Sequence, residues 1–300
     1  MPRQPVASGA PSPTLVRSAA ATTGAKGVDL RDPQEIYQHA TRALTQAGVP
    51  FLVGGAHALA QYTPVVRDGK DFDVFLRPEH VRVAFAALVR QDFEVVLPYP
   101  HWLGKALMGP VFIDVIFSSG NGVALVDDEW FAHAKVSEVL GQQLAICPAE
   151  EMIWSKAFIC ERERFDGADV LHMIRDCGDK LDWPRLLRRF GEHWRVLLAH
   201  LVLFGFAYPG ERDRVPAEIM DLLSAKLLMD KATEPGTAGV CRGTLLSREQ
   251  YLVDLEELGY IDGRLLSPEV HMSLEDIDHW TRAIPGRSPP HGELAAGGSR

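Results

Sequence analysis

The chain has 300 residues, 46% of them hydrophobic and 24% charged, with a formal net charge of −9. That length and apolar content suffice for one large core or two modest ones, and the charge fraction is ordinary for a globular chain. The acidic balance argues against extensive nucleic-acid binding, which needs a basic footprint to displace counterions, although a local basic patch stays open.

Residues 1–30 are rich in Ala, Ser, Thr, Pro and Gly, carry Arg3, Arg17 and Lys26, and have no acid before Asp29. They lack the apolar block of a secretory signal and are expected to be a disordered tail in preference to a transit peptide. The folded region opens at "DLRDPQEIYQHATRAL", where Asp32 suits an N-cap, Pro33 the first helical position and Glu35 the first turn. Ile36, Ala40, Ala43 and Leu44 mark the apolar face of that helix. "VPFLVGG" at 49–55 predicts a buried strand that stops at two glycines, and "AHALAQY" a helix directly after it.

"FDVFL" predicts a second strand, "RPEHVRVAFAALVRQ" a helix begun by Pro78, "FEVVL" a third strand and "PVFIDVIFSS" a fourth. "WLGKALM" is a hairpin partner for that fourth strand, and "VLGQQLAI" a further short hairpin turning near Gly141. From Pro148 the strand signals cease. "PAEEMIWSKAFICERERF", "DGADVLHMIRDCG", "DWPRLLRRFG" and "EHWRVLLAHLVLFGFA" predict successive helices. The segment 241–264 is expected to be a loop followed by a helix, and no internal repeat is evident. Residues 285–300, rich in Pro and Gly, predict a second disordered tail.

The fold class expected is α+β: a mixed sheet flanked by helices at 31–147, a helical domain at 148–232 and an extension at 233–284. No apolar run reaches the roughly 18 residues that span a bilayer. Cys147, Cys160, Cys177 and Cys241 show no C-x-x-C pair and no histidine at zinc spacing. They predict free thiols in a cytoplasmic protein.

Chemistry concentrates in "GKDFDVFLRP". Residues two apart in a strand share a face, so Asp71 and Asp73 project together while Phe72 and Val74 pack on the other side. Carboxylates held this close repel unless a proton or cation intervenes. Either the strand is an exposed edge, or a hard divalent cation such as Mg²⁺, which takes oxygen ligands, belongs between them. In "VFIDVIF" Asp114 interrupts a buried run, which is costly unless the acid is paired or metal-bound. Gly54 and Gly55, passing straight into a helix, let bare amides approach an anion. The lysine of a P-loop and the G-x-G-x-x-G spacing are both absent.

Together these residues resemble the nucleotidyltransferase superfamily typified by DNA polymerase β, whose pattern is a hydrophobic residue with Gly-Gly or Gly-Ser, an Asp-x-Asp or Asp-x-Glu pair, and a third carboxylate. It is met by Val53-Gly54-Gly55, Asp71-Phe72-Asp73 and Asp114, over roughly residues 34–180. The small bacterial members are the most similar. Their basic residue and "R-x-x-x-D" stretch correspond here to Lys156 and to Arg162, Asp166 and Asp169.

The resemblance implies a concrete activity. Asp71, Asp73 and Asp114 would bind two Mg²⁺ ions, Gly54 and Gly55 would hold the β- and γ-phosphates of a nucleoside triphosphate such as ATP, and Lys156 would touch the triphosphate. A nucleoside monophosphate would pass to a hydroxyl acceptor with release of pyrophosphate, Asp114 helping to activate the hydroxyl. The acceptor is a small molecule, a tRNA end or a protein; no membrane partner is implied. The alternative is a catalytically silent nucleotide-binding or protein-interaction module on the same fold. A phosphatase with an Asp-x-Asp nucleophile is disfavoured, because "DFDVFLRP" continues as strand instead of turning into Thr or Gly.

Plainer readings stand beside these. His57 is expected to be solvated in preference to touching a nucleotide, Lys156 equally to face water or to meet the triphosphate, and Asp166 to cap the helix near Gly167 or, with Asp169, to orient Lys156 or the acceptor. Arg185, Arg188, Arg189 and Arg195 are expected to form a solvated helix face, the other reading being an anionic acceptor site. Trp154, Phe158 and Phe165 are expected in the core. Arg242, Thr244, Ser247 and Arg248 form a polar cluster within 241–264, and nothing in the sequence assigns it to the acids.

Overall fold

A computed structural model of the chain describes residues 32–67, 71–230 and 237–284. The tails expected at 1–30 and 285–300, and the boundary expected at 232–233, lie outside the described residues.

Helix α1 (Pro33–Gln46) begins where the N-cap signal places it, with the Asp32 carboxylate accepting from the Gln34 N–H at 2.9 Å. Strand β1 (Leu52–Val53), helix α2 (Gly55–Tyr62) and strand β2 (Phe72–Phe75) follow. A 3₁₀ turn at Pro78–His80 leads into α3 (Val81–Val89), because Pro78 suits a helix start. Then come β3 (Glu94–Tyr99), β4 (Leu103–Met108), β5 (Val111–Ile116), α4 (Asp128–Ala132), β6 (Lys135–Val139) and β7 (Gln142–Ile146).

These strands form one mixed seven-stranded sheet in the order β3-β4-β5-β2-β1-β7-β6. β2 runs parallel to β5, and β1 parallel to β7; the other pairings are antiparallel. Phe72 and Val74 of β2 and Ile113 and Val115 of β5 are fully buried on one face, where Tyr37 of α1 stacks on Phe72 at 5.0 Å. The strand carrying the aspartates is therefore near the middle of the sheet, and the exposed-edge reading is excluded.

The helical region comprises α5 (Ala149–Ala157), α6 (Gly167–Cys177), α7 (Trp183–Phe190), α8 (Trp194–Ala207) and α9 (Ala217–Met229). A single cluster of buried apolar side chains runs from Ile36 of α1 through the sheet to Leu223 of α9. α5 is shorter than its apolar pattern predicts. The chain leaves the helix after Ala157 and doubles back through a Cys160–Phe165 bridge that brings Arg164 to Asp166. Phe165 is consequently half exposed and stacks on His200, while Trp154 and Phe158 are buried as expected.

The C-terminal segment departs most from expectation. It holds β8 (Val240–Cys241), α10 (Leu252–Glu256), β9 (Ile261–Asp262) and α11 (Leu274–Arg282), with β8 and β9 paired in parallel. Each strand runs into a 3₁₀ turn, Gly243–Leu245 and Gly263–Leu265. The sequence G-x-L-L-S-x-E occurs at both places, from Gly243 to Glu249 and from Gly263 to Glu269. This is an internal repeat of seven residues, legible in the sequence itself, and it corrects the expectation that there is none. α11 carries a Ser273–Asp276 capping box and packs Trp280 edge-on against Tyr99 and Trp102. Among the described residues no helix is long and apolar enough to cross a membrane.

Candidate active site

One rung of the sheet carries most of the candidate chemistry. Lys105 of β4 lies opposite Asp114 of β5, and Asp114 opposite Asp73 of β2. The Gly54 N–H donates to the Asp73 carbonyl at 3.0 Å, completing the row toward α2. Neighbouring strands are spaced by about 4.8 Å, so the side chains of a rung stand next to one another. Asp71, immediately before β2, adds a third carboxylate close enough to act on both of the others.

The two glycines are required by what surrounds them. A Cβ on Gly54 would lie 2.2 Å from the Phe75 ring, and one on Gly55 would lie 1.7 Å from Asp73 Oδ2. Gly55 also has a φ of +54°, a conformation other residues adopt only at a cost. The bare backbone at the amino end of α2 is thus packed directly against the Asp73 carboxylate. The first-turn N–H groups of that helix lack intrahelical partners and favour negative charge.

Burial, together with the Asp114 charge, pushes the Asp73 carboxyl up to about 6, with Asp71 adding to the rise and Lys156 and Arg164 opposing it. Burial likewise raises Asp114, against the lowering effect of a 2.6 Å bond from Lys105 Nζ to Asp114 Oδ1. Lys105 was not a sequence candidate. A lysine alternating in an amphipathic strand reads as solvated, and only the β4–β5 register turns it toward the acid. With Lys105 engaged, the three carboxylates stand apart: among the described residues, the His, Cys, Asp or Glu group whose ligand atoms gather within 4.8 Å is Glu192, His193 and Glu269.

A second, basic layer faces the acids. Lys156 Nζ donates to Asp166 Oδ2 and to Asp169 Oδ2, both at 2.9 Å. Arg164 grips Asp166 through two bonds of 2.8 and 2.9 Å, and Arg67 reaches Asp169 at 2.5 Å. Three cations thus share two carboxylates, and both Lys156 and Arg164 are felt by Asp73. Asp166 and Asp169 orient the lysine; Asp166 stands at the N-cap position of α6 but makes no side-chain capping bond. The arginine partner of Asp166 is Arg164. Arg162, the member of the R-x-x-x-D match, is exposed and pairs with Glu163.

Other candidates lie elsewhere. His57 packs edge-on against Phe72 at 4.9 Å, and burial lowers its pKa, so it is a neutral aromatic contact instead of a solvated side chain. Arg185 is buried and bonds both Glu150 and Glu151, and Arg189 bonds Glu151 and Asp127. These two arginines clamp α7 to α5 and α4, which rules out the solvated face and leaves no fork for an acceptor. Arg188 is exposed, and Arg195 pairs with Asp230. Arg242, Thr244, Ser247 and Arg248 engage Glu192, Asp262, Glu161 and the Trp280 ring, not the acids. Tyr37, missed in the sequence, stands near the site. Burial and the charges of Asp71 and Asp73 raise its pKa.

No protein-family model matches the chain, and no curated protein matches it. Similar solved structures include the antibiotic-resistance factor ANT(2″)-Ia in solution, 15% identical, covering 65% of this chain and 91% of that one with a TM-score of 0.36. ANT(2″)-Ia in complex with adenylyl-2″-tobramycin is 16% identical, covering 66% of this chain and 98% of that one with a TM-score of 0.34. JHP933 from Helicobacter pylori is 11% identical, covering 68% and 96% with a TM-score of 0.34. Residue roles in this chain rest on its own geometry.

Proposed function

We propose that the chain is a nucleotidyltransferase of the DNA polymerase β type, moving a nucleoside monophosphate from a nucleoside triphosphate to a hydroxyl acceptor and releasing pyrophosphate. The observation that carries this reading is the rung that sets Asp73 beside Asp114 and against the glycine-bounded amino end of α2.

The donors fit magnesium. All are carboxylate oxygens, the hard set this ion prefers, and among the described residues Lys105 makes a direct cationic contact with the trio, on Asp114. Asp71, Asp73 and Asp114 would hold it. When bound, magnesium neutralises charge on the triphosphate and polarises its oxygens.

The chain's own groups do the rest. The free N–H groups of the first turn of α2 donate to the β- and γ-phosphate oxygens. Lys156 and Arg164, already held by Asp166, present positive charge across the site from the acids and orient the triphosphate. Release of Lys105 frees the Asp114 carboxylate to take the proton of the acceptor hydroxyl, so that the hydroxyl attacks the α-phosphorus as pyrophosphate leaves.

The test is a transfer assay with α-labelled nucleoside triphosphates and desalted cell extract as the acceptor source. The double variant Asp71→Ala/Asp73→Ala loses labelling; undiminished labelling would refute the assignment. The Lys105–Asp114 bond favours one other reading, a module that binds nucleotide without turning it over. That reading predicts calorimetric binding of triphosphate with no pyrophosphate release on any acceptor.

A further inference from the structure

Away from the acids, the turn between α7 and α8 meets the end of the second G-x-L-L-S-x-E unit. His193, at 5% exposure, points its Nε2 into this junction, and that nitrogen has no hydrogen-bond partner. Its nearest carboxylate oxygen, Glu269 Oε2, is 3.7 Å away, too far for a hydrogen bond. A buried imidazole nitrogen left unpaired is costly, and such orphans call for an explanation. Glu192 supplies a second carboxylate, and one ligand atom from each of the three residues lies within 4.8 Å of the other two.

The junction is built around these groups. Gly191 has a φ of +46°, and a Cβ there would stand 2.5 Å from Glu269 Oε1, so glycine makes the room for that carboxylate. The Glu192 backbone N–H bonds to Glu269 as well. Ser267 and Arg242 donate to separate oxygens of the Glu192 carboxylate, which fixes its orientation and leaves lone pairs on each oxygen. The His193 ring is held edge-on by Phe158 at 5.5 Å.

We propose that Glu192, His193 and Glu269 form a binding site for a divalent transition ion of the zinc class, which fastens the C-terminal repeat to the helical region. One imidazole and two carboxylates are donors zinc accepts, whereas an all-oxygen magnesium site would make no use of the imidazole. Ligand atoms around a tetrahedral zinc with bonds of about 2.0–2.1 Å are separated by roughly 3.3 Å; the 3.7 Å His193–Glu269 gap is close to that, and with all three ligand atoms within 4.8 Å of one another the site closes on the ion by side-chain rotation. The fourth position is left to water. Nothing in this site depends on the nucleotidyl-transfer reading, since none of its residues contacts Asp71, Asp73 or Asp114.

The test uses the full chain, stripped with chelator and then offered Zn²⁺ alone in the presence of millimolar Mg²⁺, which occupies the oxygen-only acids. After gel filtration, metal analysis is expected to give one zinc per chain for the native protein and for Asp73→Asn. His193→Gln and Glu269→Gln are expected to bind at least 30-fold more weakly in a competition titration with a chromophoric chelator. Glu269 is partly exposed, so its variant folds and keeps the comparison valid. Zinc is also expected to slow proteolysis of the segment beyond Val240 in the native chain and not in Glu269→Gln. No zinc retained by the native chain, or the same zinc content and affinity in Glu269→Gln, would overturn the proposal.

Discussion

Asp73→Asn is expected to stabilise the metal-free fold while abolishing transfer. The Asp73 carboxyl is raised from 3.8 to about 6, so folding disfavours its ionised form. The sign follows from linkage: between those two values the folded chain binds more protons than the unfolded one, and stability rises as pH falls. At pH 7.5 the ionised Asp73 costs the fold about 3 kcal/mol, at about 1.4 kcal/mol for each tenfold change in proton affinity. At pH 5 roughly half of that cost remains, and near pH 4 little of it does. Asn keeps the shape and carries no charge, so it removes the repulsion from Asp71 and Asp114. Differential scanning calorimetry in EDTA is therefore expected to show the variant melting several degrees above the native chain at pH 7.5, with the gap narrowing toward pH 4.5. Excess Mg²⁺ should stabilise the native chain by about 2.7 kcal/mol at 100 times its Kd and the variant by much less. A variant equally or less stable than the native chain in EDTA at pH 7.5 would refute the claim that the acids are strained without a cation.

Gly55→Ala is expected to be inactive in transfer and destabilised by about 1–2 kcal/mol in urea titration, because its Cβ meets Asp73 Oδ2 at a positive φ. Lys105→Ala removes the bond that lowers Asp114, so the acid limb of the pH–rate profile should move to higher pH, while Lys105→Arg should restore it. Arg185→Met takes the two-bond partner from Glu151, which is fully buried and keeps only Arg189, and removes the arginine of buried Glu150; it is expected to cost about 3 kcal/mol by chemical denaturation. Adding Glu151→Leu should recover part of that loss.

Several of these features can be read along the chain, because they are local. The Asp32 cap, the alternation in "FDVF" and "VFIDVI", and the glycines closing β1 each occupy a few neighbouring residues, and backbone geometry turns such patterns into a helix start, a strand face or a tight turn. That Asp73 stands on the face opposite Phe72 and Val74, and that Asp114 is an anomaly in a buried strand, follow from strand period alone, whereas Asp71 falls one residue before β2, where that period no longer fixes its direction.

Which groups meet depended on register and chain return, which leave no local trace. Asp114 faces Asp73 because β5 pairs in parallel with β2, and it is bonded by Lys105 because β4 pairs antiparallel on its other side. A slip of one residue in either pairing would send these side chains to opposite faces. Arg164 replaces Arg162 because α5 ends early and the chain doubles back. Arg185 and Arg189 read as solvent-facing because their partners lie more than thirty residues away. His193 and Glu269 share a junction through a repeat whose strands are two residues long. Period and propensity act over a few residues, whereas the charges that define both proposed sites are paired across the fold, where burial makes each partner matter most.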